Sequence, residues 1–220
     1  MNKLSLFLLL CLSGFHVHAQ SCKGSAIFSQ GKHFVFQTEL ATSDPTVKKK
    51  LNTYSVQSVK NEAGVLTATY KLEKTDTSLK NASSALSLLN ATCDGNGVTY
   101  RVSITSARMN ADYLINFPDN MKAGDVLKGH NLNIDMHGKG TVSVAVSRKV
   151  VGEETLAIPI GKMNCFKIAE TSITTISGIN GQQPRTMNDP VPIYTWYAPG
   201  TGIIKMAKEN VYTTTLIAID

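Results

Sequence analysis

Apolar and polar residues alternate with a period of two through most of this 220-residue chain, which leaves few choices of fold. Successive side chains of a strand point to opposite faces, so this period marks sheets with one face buried and one wet. Phe34, Phe36, Thr38 and Leu40 share a face of residues 32–40. An alternating run over 51–60 is followed, across a turn ending in Gly64, by 65–73, where Leu66, Ala68, Tyr70 and Leu72 align. Val98, Tyr100, Val102 and Ile104 alternate with Thr99, Arg101, Ser103 and Thr105 after the Asp94-Gly95-Asn96-Gly97 turn. Residues 131–136 and 141–151 flank a turn at His137, Gly138, Lys139 and Gly140, and further strand patterns cover 156–160, 164–176, 191–198 and 203 to the end. Pro159 marks a strand end or an edge.

Residues 75–90 and 106–114 settle on no strand period and predict one or two short helices. The Gly/Pro/Asn/Gln-rich stretch 177–190 predicts a surface loop. About ten strands joined by short turns give a mainly-β protein. We expect a single antiparallel meander curled into a half-barrel or an incompletely closed barrel, because so many strands must curl to cover their edges.

The first residues place Lys3 ahead of an apolar run and end on Val17, His18 and Ala19, the pattern of a secretory signal peptide over 1–19. The run is shorter than the roughly 20 residues of a membrane-spanning helix, and no later segment is longer. Cys22 invites a lipidated form, but Ala19, Gln20 and Ser21 lack the usual aliphatic residue, so a soluble exported chain is expected. Cleavage leaves residues 20–220 as one β half-barrel domain. Its net charge falls from +6 to +5 as Lys3 departs, a surplus that selects anionic partners only weakly. The cluster Lys48, Lys49, Lys50 reads as a solvated loop.

Three cysteines follow the leader: Cys22, Cys93 and Cys165. Export permits a disulfide. The sequence does not fix the pair; Cys22 with Cys93 is preferred because Cys165 lies in an apolar strand pattern, where a free thiol behaves as a small hydrophobe. No cysteine or histidine spacing suits a metal, and no cofactor is implied. Catalytic patterns are equally thin. There is no G-x-S-x-G; adjacent Glu153 and Glu154 would point to opposite faces of a strand; His137 is a turn residue; the glycine-rich pieces lack the strand-to-helix context of a phosphate cradle. Basic residues do not interleave with aromatics as a nucleic-acid surface requires. An enzyme is therefore not expected.

The densest binding-type chemistry is in YTWYAPGTGIIK, residues 194–205, which holds the only Trp. Tyr194, Trp196 and Ala198 share one strand face, Thr195 and Tyr197 the other, and Pro199-Gly200-Thr201-Gly202 reverses the chain. Aromatics beside such a corner brace a core. The competing expectation is a ligand wall, in which Tyr194 and Trp196 join Phe34, Phe36 and Tyr100.

Five pieces occur in order along nearly the whole mature chain: AQSCKG, CDGNGV (93–98), INFPDNMKAGDVL (115–127), ETLAIPIGKMNCFKI (154–168) and TWYAPGTGIIK (195–205). In this the sequence resembles the TapB-like family of exported bacterial proteins. It departs where Ile160, Gly161, Lys162 and Met163 stand in place of an Ala-Gly-Thr-Phe string, so a threonine hydroxyl is missing. The resemblance implies an antiparallel half-barrel shaped like periplasmic lipoprotein carriers and carries no established activity or catalytic residue. The expectation is an exported, non-enzymatic protein that holds a lipid or other apolar or amphipathic molecule in the envelope. The alternative is an envelope scaffold or protein-interaction module whose sheet is filled by its own side chains.

Overall fold

The computed structural model describes residues 22, 24–41, 49–75, 85–106, 109–135, 140–178 and 183–220. The leader 1–19, Lys48 and the turn residues His137, Gly138 and Lys139 lie outside them. Twelve strands form one sheet: β1 (His33–Leu40), β2 (Lys49–Glu62), β3 (Val65–Thr75), β4 (Ala85–Cys93), β5 (Gly97–Ser106), β6 (Met109–Pro118), β7 (Val126–Asp135), β8 (Thr141–Ile158), β9 (Gly161–Ser177), β10 (Arg185–Ala198), β11 (Gly202–Lys208) and β12 (Tyr212–Ile219). The order is β6-β5-β4-β3-β2-β1-β12-β11-β10-β9-β8-β7, and every pairing is antiparallel. The first and last strands pair, from Phe34 opposite Ile219 to Leu40 opposite Tyr212. The result is a nearly closed barrel whose one unsealed seam separates β6 from β7.

Helix is confined, among the described residues, to a 3₁₀ turn at Ala26–Phe28. Where a helix is expected over 106–114, the chain from Met109 onward is β6, which pairs along its full length with β5, from Ser106 opposite Met109 to Gly97 opposite Pro118. From 85 onward the other candidate segment is β4. In both, continuous pairing with a neighbour on the sheet outweighs an indecisive local pattern. The loop expected over 177–190 is shorter than its composition suggests, since β9 runs to Ser177 and β10 starts at Arg185. The two patterns on either side of Val151 belong to one 18-residue strand, β8, bent by a bulge between Val150 and Gly152.

An antiparallel meander puts its connections alternately at the two ends. The links β2–β3, β4–β5, β6–β7, β8–β9 and β10–β11 share one end with the N-terminal segment, and that end is plugged. Cys22 and Cys93 form a disulfide with Cα atoms 6.3 Å apart, while Cys165 is a buried free thiol. Ala26 N–H and the Ser25 hydroxyl both donate to Gly200 O, at 3.0 and 2.6 Å, and the Tyr70 hydroxyl donates to Ile27 O at 2.6 Å. The Pro199–Gly202 corner is thus a docking point for the N-terminal segment. At Gly202, φ is +94° and an added Cβ would lie 2.4 Å from the Tyr100 hydroxyl and 3.0 Å from Ile27 Cγ2, so no side chain fits.

Two outcomes are expected from this plug. Cys93→Ser opens a covalent link between residues 71 positions apart, and should lower unfolding free energy by about 2–5 kcal/mol, read by chemical denaturation with and without reductant. Gly202→Ala should cost about 2 kcal/mol or more through strained backbone and crowding, and an unchanged denaturation midpoint would contradict the close approach.

Candidate functional site

Inward parity is fixed strand by strand by the pairing. β1 turns Phe34, Phe36, Thr38 and Leu40 inward; β2 turns Tyr54, Asn52 and Lys50; β6 turns Phe117, Ile115 and Tyr113. Together with inward residues of the other strands they enclose a cavity of about 740 Å³, predominantly apolar and rich in aromatic rings. The plugged end is densely packed. Phe117 stacks on Tyr197 at 4.3 Å and meets Tyr100 edge-on at 5.8 Å, and Phe34 lies against Tyr70 at 6.3 Å. Such ring pairs add to burial itself. Burial pushes the Tyr54 phenol up to about 12 and also raises Tyr70, Tyr100, Tyr113 and Tyr197, so these hydroxyls stay neutral.

Side chains bridge the seam. Tyr113 of β6 stacks on His130 of β7, ring centres 4.7 Å apart. Arg148 of β8 is fully enclosed; its Nε donates to Glu170 at 2.9 Å, its Nη1 donates to Asn116 O on β6 at 2.7 Å, and its guanidinium lies 4.9 Å from the centre of the Phe117 ring. Arg148 Nη2, His130 Nδ1 and Asn52 Oδ1 are buried without a partner. Burial first, and the Arg148 charge second, lower His130 to about 4. The wall carboxylates are engaged: Glu170 by Arg148 and Asp189 by Lys208.

Of the five residues expected to form a ligand wall, Phe34, Phe36 and Tyr100 line the cavity. Tyr194 and Trp196 do not. Both stand on the outer face, where Trp196 Nε1 donates to Glu154, Lys167 sits 4.5 Å from the Tyr194 ring and 5.2 Å from the Trp196 ring, and Lys205 sits 4.8 Å from Trp196. Inward positions on this strand belong to Thr195 and Tyr197. Both faces of 194–198 carry aromatic residues, so alternation alone could not choose between them. Sequence reading also passed over Tyr54, Tyr113, His130 and Glu170. A signal existed for Tyr54, which shares the parity of Asn52 and Lys50; none existed for His130, whose inward position depends on a bulge between Leu127 and His130.

An imidazole in an unfolded chain titrates near 6.5. Between about pH 6.5 and about pH 4 the unfolded chain therefore takes up a proton that folded His130 refuses, and stability falls as pH drops through that window. Hydrogen bonds from Arg101 and Lys208 hold Asp112 and Asp189 low, so these carboxyls titrate below the usual carboxylate range. His130→Phe keeps a ring against Tyr113 and should flatten the dependence of Tm on pH between 4 and 6.5; an unaltered slope would assign the acid sensitivity elsewhere.

The fold is similar to two solved structures, which bears on architecture alone at these identities. One is a candidate lipoprotein of Parabacteroides distasonis, 14% identical, with a TM-score of 0.60 over 88% of this chain and 96% of that one. The other is a candidate exported protein with a YmcC-like fold from Bacteroides fragilis, 15% identical, with a TM-score of 0.52 over 87% of this chain and 96% of that one. No curated protein matches the sequence. The DUF3108-like family pattern matches residues 36–212, from the middle of β1 to the first residue of β12. With most of the barrel inside that match, the chain belongs to the DUF3108-like family.

Proposed function

We propose that this protein is an exported, non-enzymatic binding module of the cell envelope that holds one apolar or amphipathic molecule inside its barrel. The observation that carries the reading is the unfilled cavity of about 740 Å³ behind a plugged end. Interiors packed by their own side chains leave few voids larger than a water molecule, whereas sites for small ligands span roughly 300–1,000 Å³ and are mostly apolar. That contrast favours a carrier over a self-filled scaffold. Engagement of Glu170 and Asp189 by Arg148 and Lys208 favours binding over proton transfer. The signal-like leader and the descriptions of the two structural neighbours as lipoprotein and exported protein support the location. Among the described residues no helix is long and apolar enough to cross a membrane. Membership of the narrower TapB-like group, carried by five ordered motifs, is part of the same proposal.

Because Trp196 faces outward, its fluorescence does not report on the cavity, and an added apolar dye is the suitable probe. N-phenyl-1-naphthylamine should bind the mature protein saturably with one site. Ser172→Trp, which places a ring in the cavity from β9, should weaken that binding at least about tenfold, the loss expected when a well-fitting apolar contact is displaced, with Tm retained. Absence of saturable uptake by the unaltered protein would overturn the proposal.

A further inference from the structure

The cavity is not uniform along its axis, and its polarity points to a class of occupant. Near the plugged end the inward residues are Ile27, Phe34, Tyr54, Tyr70 and Phe117. Toward the opposite rim the inward faces of β1, β2 and β12 mix polar side chains, Thr38, Asn52, Lys50 and Thr214, with Leu40 and Tyr212. The Thr38 and Thr214 hydroxyls share a hydrogen bond of 2.9 Å across the β1–β12 junction. This side of the mouth is therefore partly polar above an aromatic floor.

Charge pairing singles out one side chain. Glu170 is committed to Arg148 and Asp189 to Lys208. Lys50 lines the same cavity and, among the described residues, has no carboxylate partner. Its chain neighbour Lys49 lies on the opposite face of β2 and pairs with Glu39 at 3.1 Å, so the nearby carboxylate serves the outer surface. Two residues further along the inward face, Asn52 Oδ1 is buried with no hydrogen-bond partner. A lysine can lay its stem along apolar surface while its ammonium reaches for polar company. Here that company would be an anion at the mouth of an apolar cavity.

Resting on the binding reading above, we propose that the occupant is a small amphiphile with an anionic headgroup, seated with the headgroup on Lys50 at the rim and the apolar tail toward Phe34, Tyr54 and Tyr70. The ammonium supplies a charge-assisted contact and the aromatic floor takes the tail. A carboxylate and a phosphate monoester share the recognising chemistry.

The test is displacement of N-phenyl-1-naphthylamine from the full mature protein by dodecanoate, dodecyl phosphate and dodecanol, with acetate and inorganic phosphate as tail-free arms. In the unaltered protein the two anionic amphiphiles should compete at least about tenfold better than dodecanol, the scale of one hydrogen bond to a charged group. Lys50→Gln should erase that advantage, Lys50→Glu should invert it, and Lys49→Gln on the outer face should preserve it. Dodecanol should bind all four proteins alike, which also shows that they are folded. Equal competition by dodecanol and the anions, or an advantage that survives Lys50→Gln, overturns the headgroup assignment while leaving the apolar cavity standing. Inorganic phosphate competing as well as dodecyl phosphate would mean a site for a free anion and would also overturn it. Dye that binds but yields to none of the three amphiphiles overturns the headgroup inference; dye that never binds overturns the cavity reading beneath it.

Discussion

Backbone pairing between β1 and β12 is the interaction on which the rest of the structure depends. A meander of twelve strands that left its first and last strands apart would expose two long rows of unpaired N–H and C=O groups, a liability that barrels remove by closing. Here the chain ends meet instead: His33 and Asp220 exchange backbone hydrogen bonds of 3.1 and 3.0 Å beyond the last paired residues of the two strands. Closing the ring there pushes its discontinuity to the middle of the sequence, between β6 and β7. Those strands are neighbours along the chain, yet 119–125 carries the backbone from one to the other without forming a hairpin ladder.

The seam is then held by side chains rather than by a ladder. Enclosing a guanidinium is costly unless its charge and its hydrogen-bonding capacity are both met. Arg148 meets the charge with a carboxylate from β9 and part of its hydrogen-bonding capacity with that carboxylate and a carbonyl from β6, and it lies over the face of Phe117, while Nη2 is left without a partner. One residue thereby ties three strands across the gap. Tyr113 and His130 complete the bridge by stacking, and burial beside the Arg148 charge makes the imidazole there resist protonation. On the far side of the link, Gly124 N–H donates to Val150 O at 2.8 Å and Val150 N–H donates to Asp125 O at 2.9 Å, fastening the connection to β8.

The same closure gives the two ends of the barrel different characters. Short corners, the disulfide and the 3₁₀ turn all gather at one end, where Tyr70, Tyr100, Phe117 and Tyr197 fill the interior. The opposite end receives the alternate connections, and the wall there carries Lys50, Asn52 and the threonines. An apolar floor and a partly polar mouth follow from which residues occupy successive inward positions of the same strands.

Much of this architecture was written in the alternation itself. The strand faces of 32–40, 65–73 and 98–105, the turns at Gly64 and Gly97, the stop at Pro159 and the reversal at Pro199–Gly202 are local properties of the backbone, set by side-chain period and by residues with restricted or unusual φ. Local pattern also explains the misreadings. The stretch 106–114 carries no firm period, and from Met109 onward only pairing with β5 makes it a strand; 185–189 look like loop until Ile173, Ser172 and their neighbours on β9 hold them. What only the tertiary structure decided is which face of each strand is inside. Residues 194–198 are aromatic on both sides, so the direction in which the sheet curls sends Tyr197 into the core and leaves Trp196 under two lysines outside. The cavity, the seam and the inward lysine have the same origin, because they exist only once strands distant in sequence have closed into a ring.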